Sequence, residues 1–537
     1  MRRPDRHRRS RGAAAWRLLV GVVLAVVLAG CAGTLPPRSD HRASTARTAP
    51  VGTPLADLAL HAGIARGTTA TWPLSESAFA LDARLTAIEH ATTSIDLQTY
   101  QIADDATGRE VLRALRDAAA RGVRVRLLVD DILTAGIDRL LLGLASHANA
   151  EVRLFNPFVT ARASQAGRIA ELIADFERLD HRMHNKLFLV DGAVAIVGGR
   201  NVADEYFLRS ARGNFFDVDV LLVGALVGEL AGSFDRYWNS EQAYDVRTIA
   251  AAARSAHDDP AELRADFEHG TRPHHAPAPV PPADQFGAPP LRVQLATGDF
   301  RLLHVSGASA KADPPEKAAP GTPRETQQTL AQRLLDQVDE VQHEALIFSP
   351  YFVPDEKARA ALHRLKARGV SVHVITNSLA VSDQPLTVVG LERHQRELLA
   401  DGVELYELSA ERIRHDSHLR KLLGSSIGRL HAKLILVDRR IVYVGSLNMD
   451  GRSAYINTEI GVRLESAELA AMLRAAFRVE EATGVVRVRL AADGTSLAWS
   501  VLDGEGREEL LDHEPDASWS HRLRVWLLGL LVPEGEL

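Results

Sequence analysis

At 537 residues the chain is long enough for two or three domains with complete hydrophobic cores. Apolar residues make up 46% and charged residues 25%, a globular composition that excludes a disordered or fibrous protein. A net charge of −6 and a pI near 6.4 lack the basic signature of a nucleic-acid binder, while leaving room for a locally basic pocket.

The first stretch, Met1 to Arg11, carries six arginines and one aspartate, and Leu18 to Ala29 follows as an uncharged run rich in Val and Leu. That run is too short to cross about 30 Å of hydrocarbon, so residues 1–30 read as a signal peptide rather than a permanent membrane helix. It ends Leu28-Ala29-Gly30-Cys31, and Cys31 is the only cysteine of the chain. This ending resembles the lipobox of bacterial lipoproteins. The resemblance implies cleavage before Cys31, a lipidated Cys31 as membrane anchor, and a place on the extracytoplasmic, periplasmic face. Residues 31–54, rich in Pro, Ser, Thr and Arg, read as a tether.

Beyond the tether, strand and helix patterns alternate. Ser94 to Tyr100 alternates as a strand, Arg109 to Ala120 puts Val111, Leu112, Leu115, Ala118 and Ala119 on one helical face, and Val123 to Val129 reads as the next strand. The order returns as a strand over Glu344–Tyr351, a helix over Glu356–Arg368 and a strand over Val370–Thr376. Ala120-Arg121-Gly122-Val123 recurs as Ala367-Arg368-Gly369-Val370, at an offset of 247 residues. The expectation is an α/β chain built by internal duplication. A first domain spans 55–255, a Pro/Ala-rich linker 256–325, and a second domain with a C-terminal extension 326–537.

The chemistry lies in a motif that keeps the same offset. His184-x-Lys186-x4-Asp191 is followed by Gly198-Gly199-x-Asn201, and His431-x-Lys433-x4-Asp438 by Gly445-Ser446-x-Asn448. Each reads as a strand, a tight turn at the aspartate and a returning strand. Histidine and lysine, two apart, therefore share a face. Asp191 and Asp438 complete the motifs, and their position assigns them to the turn more than to substrate. These residue types suit attack on a phosphodiester. One imidazole attacks phosphorus, a second serves as acid and then base, and lysines and asparagine amides meet the phosphate oxygens. The glycines let backbone approach the phosphate closely. Asp217 and Glu459 are candidates to orient the imidazoles, the alternative being carboxylates at strand edges in water. Nothing in the pattern calls for a metal or a cofactor.

On these motifs the chain resembles the phospholipase D superfamily, and within it bacterial cardiolipin synthases of the C type. The similarity also runs through Val152-Arg-Leu-Phe-Asn-Pro-Phe158, Ser349-Pro-Tyr-Phe-Val-Pro354 and Gly445 to Ser453. It implies two tandem α-β-α domains related by pseudo-twofold symmetry around one shared site, within a monomeric active unit. It also implies His184 as nucleophile, His431 as general acid, and crossed support, with Glu459 serving His184 and Asp217 serving His431. The implied activity is phosphatidyl transfer that makes cardiolipin from phosphatidylglycerol and a second phospholipid.

Hydrolytic phospholipase D action, a nucleic-acid phosphodiesterase and an inactive lipid-binding lipoprotein are the competing readings. The acidic pI and the expected anchor count against nucleic acid as a partner, and the intact motifs against an inactive chain. The apolar run Trp519–Val532 reads either as a helix lying on a membrane surface or as a packed C-terminal helix.

Overall fold

A computed structural model describes residues 35–38, 42–160, 162, 164–253, 259–273, 279–322, 328–409, 413, 428–477, 485–502 and 507–529. The expected signal peptide and Cys31 lie outside the described residues. Among the described residues no helix is long and apolar enough to cross a membrane.

The first half carries β1 (Thr69–Leu74), β2 (Ser94–Thr99), β3 (Arg124–Asp130), β4 (Ala150–Phe155) and β5 (Leu187–Val190). It continues with β6 (Val194–Gly198), β7 (Asn214–Phe216), β8 (Asp219–Gly224), β9 (Ala243–Asp245) and β10 (Leu303–Val305). The second half carries β11 (Gly307–Ala312), β12 (Glu344–Phe348), β13 (Ser371–Asn377), β14 (Glu404–Leu408), β15 (Gly428–Leu430) and β16 (Leu434–Val437). After these come β17 (Ile441–Gly445), β18 (Ile460–Glu465), β19 (Val485–Leu490), β20 (Leu497–Leu502) and β21 (Glu508–Leu511).

The two large sheets repeat one design. The order β8-β6-β5-β2-β3-β4-β9 in the first is matched by β18-β17-β16-β12-β13-β14-β19 in the second. In each, three parallel strands (β2, β3, β4; β12, β13, β14) meet an antiparallel hairpin that carries the motif (β5, β6; β16, β17). The chain is thus α/β with two tandem halves of one design. The crossover helices explain themselves locally. In Ala106–Ala120 the Asp105 carboxylate caps Gly108 N, and Val111, Leu112 and Leu115 turn to the sheet. In Glu356–Ala367 Asp355 caps Ala358 N, and Ala361, Leu362 and Leu365 do the same. Gly122 (φ 96°) and Gly369 (φ 80°) end the two helices in the left-handed region.

One hydrophobic core runs through both halves, joining Val190, Val197 and Val220 to Leu434, Val444 and Val462. Backbone crosses the boundary as well. β7 pairs in parallel with β15, and Met183 bridges Thr458. His184 N donates to Thr458 O (2.9 Å), and His431 N donates to Phe216 O (2.7 Å).

Two stretches read as tether and linker do structural work. Residues 42–54 lie along the first half. The buried Arg126 guanidinium, which also pairs with Asp96, donates to Ser44 O (3.0 Å); Ala46 N donates to Asp235 (2.8 Å), and Ala49 N to Asp191 O (2.8 Å). A tether reading therefore fails from about residue 42 onward, because two buried arginines, Arg126 and Arg153, take carbonyls from this segment. In the linker, residues 260–270 and 291–297 are helical, β10 pairs with the edge strand β1, and β11 pairs with β18. Each large sheet takes an edge strand from it, which satisfies groups otherwise left open.

Asp191 (φ 57°) and Asp438 (φ 50°) sit at equivalent turns. The Asp191 carboxylate accepts from the backbone N–H of Thr92 (2.9 Å), Thr93 (2.7 Å) and Ser94 (3.0 Å). Asp438 accepts in the same way from Gln342 (2.9 Å), His343 (2.7 Å) and Glu344 (2.9 Å). Each aspartate thereby pins the loop that starts the neighbouring parallel strand. Asp191 is fully buried and Asp438 half-buried. Asp191→Ala should cost about 2–4 kcal/mol, the penalty for orphaned buried donors, and Asp438→Ala about 1 kcal/mol. Urea unfolding of the two variants measures this, and equal losses would contradict the burial difference.

Candidate active site

The motifs' first residues come together where the carboxyl ends of the two parallel strand sets converge. β5 runs antiparallel to β2, so His184 and Lys186 stand at the end of β2; β16 likewise brings His431 and Lys433 to the end of β12. Both histidines and both lysines are buried.

Each imidazole is held by a carboxylate of the opposite half. His184 Nδ1 lies 3.0 and 3.1 Å from the oxygens of Glu459, and His431 Nδ1 lies 2.6 Å from Asp217. A carboxylate at Nδ1 accepts a hydrogen bond from Nδ1–H, which fixes that tautomer and leaves the lone pair on Nε2. The adjacent backbone explains the crossing. His184 N bonds to Thr458, the neighbour of Glu459, and His431 N bonds to Phe216, the neighbour of Asp217. The ammonium of Lys186 donates to His184 O (2.7 Å), and that of Lys433 to His431 O.

Burial, followed by the charges of Lys186 and Lys433, holds both imidazoles well below their usual range, so both are neutral in the free site. Burial also pulls Lys186 well down and Lys433 to about 8. It pushes Asp217 and Glu459 up to about 7. Lys433 lowers the proton affinity of Lys186, and both lysines lower that of the imidazoles, a repulsion that an anion between them relieves.

Asn201 donates through Nδ2 to the Tyr206 hydroxyl (2.8 Å). The Oδ1 atoms of Asn201 and Asn448 are buried without a partner among the described residues. Each side chain thus keeps one polar end free of protein partners among the described residues. The glycines differ from expectation. A Cβ on Gly199 would meet the Asp217 carboxylate (2.4 Å), on Gly198 the Asp219 carboxylate (2.1 Å), and on Gly445 the Ile460 carbonyl (2.2 Å). They make room for the chain's own orienting carboxylates and sheet neighbours rather than for phosphate. Ser446, where the first copy has Gly199, donates its hydroxyl to Glu459.

Several supports carry no motif signal. Tyr100 stands edge-on to His184 and Tyr206 to His431, each with ring centroids 5.0 Å apart. Asp130 holds Arg182 (2.7 Å) and Met183 N (2.7 Å), fixing the approach to His184. Asp219, paired with Arg84 (2.8 Å) and Arg200 (3.2 Å), backs Asp217. Asp313, from the expected linker, accepts from Glu459 N (3.0 Å) and from Lys317 (2.7 Å), and its carbonyl accepts from Tyr237 of the first half (2.7 Å). The only trace of that pair in the sequence is an acid and a base four apart in a Pro/Ala-rich stretch.

The family described as "Cardiolipin synthase, PLD-like domain" matches residues 85–238 and 334–480. The chain is 36% identical over 470 residues to cardiolipin synthase C of Escherichia coli (strain K12), spanning 87% of this chain and 96% of that protein. To a cardiolipin synthase of Staphylococcus aureus it is 25% identical over 391 residues, 73% of this chain and 63% of the other. Among solved structures, the phosphatidylserine synthase of Haemophilus influenzae Rd KW20 shares the fold, with a TM-score of 0.54 and 14% identity over 88% of this chain and 97% of that one. The chain belongs to the cardiolipin synthase family of phospholipase D-like proteins and is a phospholipase D-type phosphatidyltransferase.

These charge states set a pH profile. As pH falls below about 7, Glu459 and Asp217 take up protons and cease to accept from the imidazoles. As it rises above about 8, Lys433 loses its charge. Plotted for a soluble phosphodiester, kcat/KM should therefore peak between these values and fall on both sides. A flat profile from about pH 6 to about pH 9 would rule this assignment of charges out.

Proposed function

We propose that the chain synthesises cardiolipin from phosphatidylglycerol and a second phospholipid through a phosphohistidine on His184. The observation that carries this reading is the crossed pair of buried imidazoles, each with Nδ1 held by a carboxylate and backed by a lysine. Nε2 of His184 attacks the phosphorus of the donor lipid. The alcohol oxygen leaves with a proton from Nε2 of His431, and the phosphatidyl group stays on His184. His431, now neutral, takes the proton of the incoming hydroxyl, whose oxygen attacks phosphorus and frees His184. Binding of the phosphodiester anion offsets the two lysines and restores the proton affinity that His431 needs as an acid. Lys186, Lys433, Asn201 and Asn448 hold the phosphate oxygens. No metal or cofactor takes part in this scheme, and the active unit is one chain.

Hydrolysis uses the same residues with water as acceptor. The aromatic walls Tyr100, Tyr206 and Phe215 against the buried imidazoles favour a lipid alcohol, because they limit water at the reacting atoms. We also assign the anchor to a lipidated Cys31 on the periplasmic face. One mass-spectrometric experiment tests both points. Purified protein incubated with phosphatidylglycerol and phosphatidylethanolamine should yield cardiolipin, and its own N-terminus should begin at lipidated Cys31. Phosphatidic acid as the main product would turn the reading to hydrolysis, and an unprocessed or unmodified Cys31 would remove the anchor.

The two histidines separate with a nitrophenyl phosphodiester, whose leaving group needs little acid help. His431→Asn should release about one equivalent of nitrophenol and stall with a phosphoryl adduct on residue 184. His184→Asn should give neither burst nor adduct. An adduct on residue 431 of the unaltered enzyme, found by rapid quench, would reverse the assignment.

A further inference from the structure

The helix Gln165–Ala174 is built inside out. A surface helix normally turns its charged side to water. Here Arg168 and Glu171 are the buried residues. Arg168 donates to Arg162 O (3.0 Å) and Thr134 Oγ1 (3.0 Å), and Glu171 accepts from the backbone N–H of Val159 (2.7 Å) and Thr160 (2.9 Å). The outward stripe is Ile169 and Ile173, one turn apart, continued by Phe176; they are 56%, 67% and 50% exposed. Polar anchors already hold this helix, so the stripe leaves apolar surface in water without serving the core.

A second such face lies at the C-terminus. The helix Trp519–Gly529 packs through Val525 and Gly529 against Val388 and Val389. Its other side presents Trp519, Leu523, Trp526 and Leu527, with Arg522 and Arg524 on the same helix.

The first helix follows β4, and the C-terminal one packs on the helix Pro385–Glu392 that follows β13. Both thus lie beyond the carboxyl ends of parallel strands, as the site does. Four residues before His184, Asp180 is paired with Arg452 (2.9 Å), and Asn156 ties the carbonyls of Arg178 and His181 to the end of β4. On the other side, Glu514, which precedes the C-terminal helix, accepts from Leu379 N (2.5 Å). Two residues away, Asn377 bonds both backbone groups of Leu430, the residue before His431. Each helix is thus tied through a few contacts to the segment that carries one histidine.

Building on the phospholipid-transfer reading above, we propose that these two faces seat the protein on the surface of an anionic phospholipid bilayer. A donor lipid can then reach the histidines while its chains stay in the membrane. Indoles, leucines and arginines on one helix match an anionic interface, where rings lie at the headgroups and cations meet lipid phosphates. Two separate faces, each tied to the segment of one histidine, are matched by a partner that extends across both.

The test uses the full chain with vesicles of phosphatidylcholine, with or without phosphatidylglycerol, and follows hydrogen–deuterium exchange. Peptides covering 165–180 and 519–529 should slow on vesicles that contain phosphatidylglycerol; unchanged exchange in both overturns the proposal. A lipid anchor adds to binding but does not choose which helices are protected. In parallel, Ile169→Glu with Ile173→Glu, and Trp526→Glu with Leu527→Glu, should lower turnover of vesicle lipid at least about tenfold. Turnover of the nitrophenyl phosphodiester should stay within about twofold, since no catalytic group is touched. Undiminished lipid turnover, or a change of oligomeric state without vesicles, also overturns it. Should a variant lose the soluble activity too, the exchange data on the unaltered chain decide. Protection of both helices without any phosphatidyl transfer would sink the functional reading and leave the docking surface standing.

Discussion

The centre of this molecule depends on each histidine being held by the other half. A backbone bond from His184 to Thr458 brings Glu459 beneath one imidazole, and a bond from His431 to Phe216 brings Asp217 beneath the other. The backbone contact sets the place of each histidine, and the carboxylate at Nδ1 sets the orientation of its ring. Neither half holds a complete pair. Separated, each would keep a histidine without its acceptor and a carboxylate without its donor.

Burying so many ionisable groups is costly unless they are paired, and the surroundings are arranged accordingly. Asp219 lies between Arg84 and Arg200, Asp130 faces Arg182, and Asp313 faces Lys317. These pairs satisfy their own charges and still hold neighbouring backbone, as Asp313 does in accepting from the N–H of Glu459. Lys186 and Lys433 lie close to Asp217 and Glu459, yet their positive charge still depresses the imidazoles.

The stretches hardest to read in the sequence were those whose composition says surface. Residues rich in Pro, Ala and Ser ordinarily run free, yet 42–54 supply carbonyls to buried arginines, and 303–317 supply two edge strands and the Asp313–Lys317 pair. A few polar contacts decide such cases, and composition averages them away. The same holds for Gly198, Gly199 and Gly445. Their need for space was legible, but what fills it is the chain's own carboxylates and carbonyls, brought by β8 and β18. The helix Gln165–Ala174 has an ordinary amphipathic period, and the period alone does not say which side faces inward.

Local rules carried much of the architecture. Strand alternation, the capped helices after β2 and β12, the left-handed turns at Gly122 and Gly369, and the turn aspartates all follow from neighbours a few residues apart. The His and Lys of each motif, read as strand residues, instead stand just ahead of β5 and β16. The repeated motif, at a constant offset, by itself determined a duplicated α/β chain with phosphodiester chemistry. Which carboxylate serves which histidine was left to the tertiary structure, because those partners are 275 and 214 residues apart. No period or spacing spans such a distance; only two sheets closing on one core bring them within hydrogen-bonding reach.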